Sequence, residues 1–304
     1  MFPPISNIPI QEIKDDILIT NNVSLFIKRE DLIHSKISGN KWRKLKYNFE
    51  YFFKNDFTEI VTFGGPFSNH IAATAAAGKI CGVETIGIIR GEPHANINST
   101  LSDASKNGMI IKFVSRSAYR DKTASKEVID ILNELSNPYL IPEGGDNRLG
   151  LIGCSEITKN ITGFDLYVAP CGTGSTIGGM ISGLEGKGWV IGIPVLKGMN
   201  NLSREIDDKL FRLGINNTGN WSLNHDYHFG GYAKSTIELT DFISNFWKSH
   251  QVKLDPIYTG KAMYGLFDMI RSGKIQNKRV LFVHTGGLQG VKGFEKRYRV
   301  KLFS

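Results

Sequence analysis

Lys41 lies near the start of a helix-like segment, in SGNKWRKL (Ser38–Leu45), with Arg43 and Lys44 close behind it. A helix N-terminus carries partial positive charge, so three cations there are each mildly unfavourable. Nucleophilic chemistry would justify them. With Asn40 as the cap, the helix end and the neighbouring cations depress the ammonium pKa of Lys41 and free its lone pair, as Schiff-base formation requires. The neighbours would also favour a bound anion. A solvated basic face is the bland reading, but Trp42, Leu45, Phe49 and Phe52 form an apolar stripe, so this helix packs.

A reactive lysine gains meaning from its partners. APCGTGSTIGG (Ala169–Gly179) reads as a strand end, a small-residue turn and a helix start. Such a turn aims backbone N–H groups one way and makes a phosphate cradle, with Gly172, Thr173, Gly174, Ser175 and Thr176 as its parts. It lacks the lysine of a P-loop and the spacing of a dinucleotide fingerprint. FGGPFSNH (Phe63–His70) repeats the grammar, with Ser68 and Asn69 where a helix would be capped. Tyr258 and Thr259 end one apolar run and Thr285 another, while Tyr232 sits in the Gly-rich loop HFGGYAKS (His228–Ser235). His34, His70 and His284 show no metal-ligand spacing, so no metal is expected.

The elements that must hold these residues are legible as alternation. Apolar, β-branched runs at Glu59–Gly65, Thr85–Gly91, Ile110–Ser115, Tyr139–Gly145, Asp165–Gly174, Trp189–Leu196 and Arg279–Gly287 read as strands. Helix-like segments fall between them, at Trp42–Phe53, Asn69–Gly82, Ser99–Gly108, Ser125–Leu135, Thr176–Leu184, Asn201–Leu213, Ser235–Trp247 and Lys261–Arg271. Continuous apolar strands separated by helices predict mainly parallel sheets covered on both faces. In such sheets ligands bind beyond the carboxyl ends of the strands. No internal repeat or linker divides the chain, which favours two interleaved α/β domains.

Composition narrows the function classes. The net charge is +8, but Lys and Arg are spread along the chain and no zinc finger or aromatic RNA-binding motif accompanies them, so no nucleic-acid partner is expected. No run of 18 or more apolar residues and no leader pattern is present, so no membrane partner is expected either. Three cysteines, Cys81, Cys154 and Cys171, are odd in number and far apart, which argues against a disulfide framework and for a reducing cytoplasm.

A reactive lysine with a phosphate cradle suggests pyridoxal 5'-phosphate (PLP). The motifs KREDL (Lys28–Leu32), GNK (Gly39–Lys41), SNH (Ser68–His70), IPEGGDNRLG (Ile141–Gly150), CGTGST (Cys171–Thr176), GGYAK (Gly230–Lys234), DPIYTGK (Asp255–Lys261) and HTGG (His284–Gly287) occur in this order. In them the chain resembles the 1-aminocyclopropane-1-carboxylate deaminase / D-cysteine desulfhydrase family of tryptophan-synthase-β-like, fold type II PLP enzymes. The resemblance spans nearly the whole chain. It implies two three-layer α/β/α domains: a large one from residues 1–43 and 151–304, and a small one, 44–150, inserted in it. A homodimer acting on a small amino acid is expected.

The resemblance also implies roles. Lys41 would carry PLP, Asn69 would bond the ring hydroxyl, and residues 172–176 would hold the phosphate. Thr259 would face the pyridine nitrogen. Ser68 would take part in catalysis or bind the substrate carboxylate. Asn69, His70, Tyr232, Tyr258 and Thr285 would line the substrate side, with Tyr232 and Tyr258 also catalytic. Cyclopropane-opening members have Glu where this chain has Thr259 and an apolar residue where it has Thr285. That contrast implies α,β-elimination from D-cysteine, with cyclopropane opening as the alternative and a PLP-free nucleotide-binding or regulatory protein as the reading from another class. Trp42 departs from the small Thr usual at its position.

Overall fold

The computed structural model describes residues 1–5, 7–93, 98–215 and 219–304. Ten strands form two sheets among these residues. The larger holds β1 (Ile10–Ile13), β2 (Ser24–Lys28), β7 (Leu166–Cys171), β8 (Trp189–Pro194), β9 (Trp221–Leu223) and β10 (Arg279–Val283), in the order β1-β2-β10-β7-β8-β9. The smaller holds β3 (Glu59–Gly64), β4 (Glu84–Arg90), β5 (Ile110–Val114) and β6 (Pro138–Ile141), in the order β5-β4-β3-β6. Every pairing is parallel except β1 with β2, where the edge strand runs against its neighbour.

Twelve α-helices accompany the sheets: α1 (Asp16–Thr20), α2 (Asn40–Phe53), α3 (Asn69–Cys81), α4 (Ser99–Lys106), α5 (Arg116–Asp121), α6 (Lys126–Asn133), α7 (Arg148–Ser155), α8 (Ser175–Leu184), α9 (Leu202–Arg212), α10 (Ile237–His250), α11 (Thr259–Arg271) and α12 (Val291–Tyr298). The strands are apolar on both faces because both faces are covered. In β10, Val280 and Phe282 join the core under α10 and α11, while Leu281 and Val283 join the core under α8 and α9. In β3, Ile60 packs with α2 and α3, and Val61 and Phe63 pack with α5 and α6. Both units are therefore three-layered, and the fold is that of fold type II PLP enzymes.

We propose the division into residues 44–150 and 1–43 with 151–304. The smaller sheet lies wholly inside the first segment, while α2 spans the junction without a break. The charges of α2 explain how. Arg43 is buried and grips Glu30 through Nε (3.0 Å) and Nη2 (3.1 Å), with Nη1 on Glu156 (2.9 Å). Lys28 pairs with the same Glu30 at 3.2 Å, and Lys46 with Glu156 at 2.6 Å. This network ties α2 to β2 and α7 and keeps Arg43 off the pocket described below. The idea that Arg43 favours a bound anion is corrected accordingly.

Trp42 is buried beside Phe2, at 5.3 Å between ring centroids, inside the core between α2 and the smaller sheet. Its departure from the family motif therefore alters packing and not the pocket wall. Helix α7 went unforeseen because RLGLIGCS is poor in helix formers. Packing overrides propensity there: a Cβ on Gly153 would lie 1.9 Å from the carbonyl oxygen of Arg43, so only glycine lets α7 approach α2 this closely.

Candidate active site

The carboxyl ends of both sheets open onto one cavity of about 420 Å³. It gathers Lys41, Lys44, Ser68, Asn69, His70, Gly172, Thr173, Gly174, Thr176, Tyr232, Tyr258 and Thr285 from separate parts of the chain. Two residues expected in it, Ser175 and Thr259, are buried behind its wall.

Lys41 follows Gly39, which caps α2, and Asn40, which is the first helical residue. Asn40 was expected to cap. Its backbone N–H instead donates to Thr285 O (3.1 Å) and its side-chain amide to Thr176 Oγ1 (2.8 Å), so it fastens α2 to the turn after β10 and to the start of α8. The Lys41 ammonium donates to Gly144 O at 3.2 Å, and Lys44 donates to the same carbonyl at 3.1 Å. Burial comes first among the causes that lower the Lys41 pKa to about 7, and the charge of Lys44 comes second. Desolvation penalises the charged form and a like charge nearby adds to the penalty. The apo protein should therefore capture free PLP covalently at a rate that rises about tenfold from pH 6 to pH 8 and then levels, following the neutral amine. A rate still climbing steeply to pH 10, as for an ordinary lysine, would contradict this; stopped-flow absorbance measures it.

The same cavity takes in the turn before α8. Gly174 caps that helix with positive φ and no side-chain bond, so the first N–H groups of α8 have no partner within the helix. Ser175 does not offer its hydroxyl to this cradle. It donates to Asp146 at 2.6 Å, with Thr173 3.0 Å from it, so its contribution is its N–H at the helix start.

Helix α3 presents a second polar start. Ser68 Oγ accepts from the N–H groups of His70 (3.2 Å) and Ile71 (3.3 Å), leaving its own proton free for the pocket. Asn69 sits close under the HTGG turn, where a Cβ on Gly287 would lie 3.1 Å from Asn69 Nδ2. His70 shares a hydrogen bond of 2.9 Å with Thr62 through Nε2, while its buried Nδ1 has no partner. Burial, then Lys41 and Lys44, hold its pKa well below the usual imidazole value, so it is neutral. No group of three or more His, Cys, Asp or Glu among the described residues could hold a metal.

Tyr258 and Thr259 were read as a strand end. They instead begin α11, after a turn organised by Asp255. Asp255 accepts from the N–H groups of Ile257, Tyr258 and Thr259 (2.9, 2.9 and 2.8 Å) and from Thr259 Oγ1 (2.8 Å). The Thr259 proton is thus directed at a carboxylate. Burial raises the pKa of Tyr258, with Tyr232 and Asp255 adding to it, and burial followed by Asp255 raises that of Tyr232. Both phenols stay protonated. The loop bearing Tyr232 is held by buried Lys261, which donates to His228 O (2.9 Å) and Gly231 O (2.7 Å). Sequence reading anticipated Lys44 but missed Lys261, Asp255 and the Gly144 carbonyl. Each acts on the site through contacts between segments far apart in the chain or through a turn that was mistaken for a strand.

A lysine of lowered pKa that shares one cavity with an uncapped helix start and a neutral imidazole suits a cofactor that is an aldehyde at one end and a phosphate at the other. This site, on this fold, defines a PLP-dependent enzyme. The chain belongs to the family described as "Pyridoxal-phosphate dependent enzyme", which it matches over residues 3–286. It is similar to a Thermotoga maritima protein provisionally named 1-aminocyclopropane-1-carboxylate deaminase, 32% identical over 90% of this chain and 92% of that one. It is also similar to the bifunctional D-cysteine desulfhydrase/1-aminocyclopropane-1-carboxylate deaminase, mitochondrial, of Arabidopsis thaliana, 29% identical over 90% of this chain and 74% of that one.

Among solved structures, an ACC deaminase homologue superposes with a TM-score of 0.85 at 28% identity, covering 97% and 95% of the two chains. Serine racemase from Dictyostelium discoideum, at 17% identity and a TM-score of 0.63 over 93% of each chain, shares the fold. PLP is the cofactor, and the enzyme falls in the deaminase/desulfhydrase group. No helix among the described residues is long and apolar enough to cross a membrane.

Proposed function

We propose that this enzyme carries out α,β-elimination on D-cysteine: with one water, D-cysteine gives pyruvate, ammonia and sulfide. The observation that carries the reading is that Lys41, sharing the Gly144 carbonyl with Lys44, lies in one pocket with the phenols of Tyr232 and Tyr258. PLP, when bound, accepts the electron pair released at the amino acid's α-carbon. We assign its carbonyl end to Lys41, its ring hydroxyl to Asn69, and its phosphate to the N–H groups of residues 172–176 with the Thr176 hydroxyl.

Near neutral pH, Lys41 can take the α-proton, because its amine is then as often neutral as charged. Gly144 O orients that amine, and Lys44 can take over the carbonyl when Lys41 leaves it. Tyr258 and Tyr232, held protonated, can donate to the departing sulfur but cannot act as bases. Ser68 and the start of α3 suit the substrate carboxylate, since its charge meets free donors at a helix N-terminus. His70 is neutral and can donate or accept at Nδ1. Thr285 lines the opposite wall.

The choice against cyclopropane opening rests on Thr259 and Thr285. Thr259 lies behind the cavity wall with its hydroxyl proton on Asp255, so it offers the ring nitrogen no carboxylate in direct contact. A weaker electron sink suits a substrate with an acidic α-proton and a thiolate to expel. The deaminase names of the relatives favour the other reading, and one assay separates them. Purified holoenzyme should form pyruvate and sulfide from D-cysteine at least about tenfold faster than 2-oxobutanoate from 1-aminocyclopropane-1-carboxylate. The reverse order would establish ring opening as the reaction.

A further inference from the structure

One cation on the pocket wall has no role in the scheme above. Arg90 ends β4 and is exposed at the cavity mouth, whereas Lys44 and Thr176 on the inner wall are buried. Its guanidinium lies over the Tyr119 ring, 5.7 Å from the centroid, and Nη2 comes 3.7 Å from where a Cβ on Gly65 would stand. It therefore borders the turn that leads into Ser68 and Asn69. Tyr232 lines the same cavity; burial and then Asp255 raise its pKa, and Arg90 opposes them. The nearest counter-charge on the wall, Glu143, is taken by Lys122 at 2.9 Å. Lys122 itself sits over the other contact of Arg90, 3.1 Å from the Tyr119 centroid. Among the described residues the Arg90 side chain makes no ion pair and no hydrogen bond. A planar guanidinium without an ionic partner at the mouth of the cavity is set up to take an oxyanion through two parallel bonds.

We infer that Arg90 recognises an acidic group on the side chain of the substrate, so that the preferred substrates are small amino acids whose β-substituent is an oxyanion, such as a phosphate ester. This rests on the elimination reading. The α-carboxylate is accounted for by the α3 start, and Arg90 lies outward of it, where a β-substituent would project. For O-phosphoserine the step balances without a further reactant. The α-proton goes to Lys41, and the Cβ–O bond breaks with its electron pair leaving on phosphate. Water then completes pyruvate and ammonia.

The test compares holoenzyme with Arg90→Gln and Arg90→Lys on both enantiomers of O-phosphoserine and of cysteine. In the unmodified enzyme kcat/KM should favour O-phosphoserine. Arg90→Gln should lower the ratio of the two kcat/KM values at least about tenfold, mainly through KM, and Arg90→Lys should restore part of it as a point charge. A ratio that Arg90→Gln leaves unchanged overturns the inference and makes Arg90 a structural or carboxylate group. A second readout needs no turnover. Titration of the bound chromophore should show aspartate binding more tightly than alanine, with the preference lost in Arg90→Gln. Should no amino acid be eliminated, the proposed reaction fails, while this titration still decides for or against Arg90.

Discussion

Lys41→Ala protein is expected to purify without the visible chromophore and to retain no PLP after borohydride treatment, while Lys44→Ala protein keeps a covalently fixed cofactor. The two side chains share one acceptor, Gly144 O, so proximity alone does not tell them apart. Their surroundings do. The Lys41 pKa is lowered to about 7, so a large fraction of it is neutral when the cofactor arrives. Removing the group that takes the α-proton should also reduce turnover on the order of 10³-fold. Mass spectrometry of the reduced, digested holoenzyme identifies the modified residue. PLP fixed to another lysine in Lys41→Ala would overturn the assignment.

The second large effect is expected at Gly39. Its φ of 67° and ψ of −150° lie in a region that is nearly reserved for glycine. A Cβ there would meet Thr285 O at 1.9 Å. Strain of about 1–3 kcal/mol then adds to an overpacking cost of similar size. Gly39→Ala should lower Tm by roughly 5 °C or more, and PLP retention should weaken with it because Lys41 is two residues away. Gly82→Ala provides the control, since Gly82 also has positive φ (69°) but nothing lies within 4 Å of its Cβ position. Equal losses of Tm in the two variants would show that the contact with Thr285 does not matter.

These residues also mark where sequence reasoning succeeds and stops. The alternation of apolar runs and helices was legible because strands covered on both faces must be apolar throughout. The lysine, the glycine turn and SNH were legible as helix starts because each is a local pattern, and Ser68 does cap α3. Asn40 was misread as a cap because its partner, Thr176, is 136 residues away. Arg43 was misread as part of the anion site for a similar reason, as Glu30 and Glu156 claim it only in three dimensions. Thr259 looked like a strand end until Asp255 proved to organise a helix start. Ser175 looked like a phosphate donor until Asp146 took its proton.

Helix α2 carries one more consequence. Its first residue is pinned to the turn after β10 and to the start of α8 in the larger unit, while its later turns, through Phe49 and Phe52, belong to the core of the smaller one. A lever fixed at one end moves least near its fulcrum, and Lys41 lies one residue from it. If the small unit rocks toward the large one, Ser68, His70 and Arg90 travel with it, and the reactive amine hardly moves. Substrate could thus be enclosed and released by groups that swing, around a nucleophile that keeps its aim.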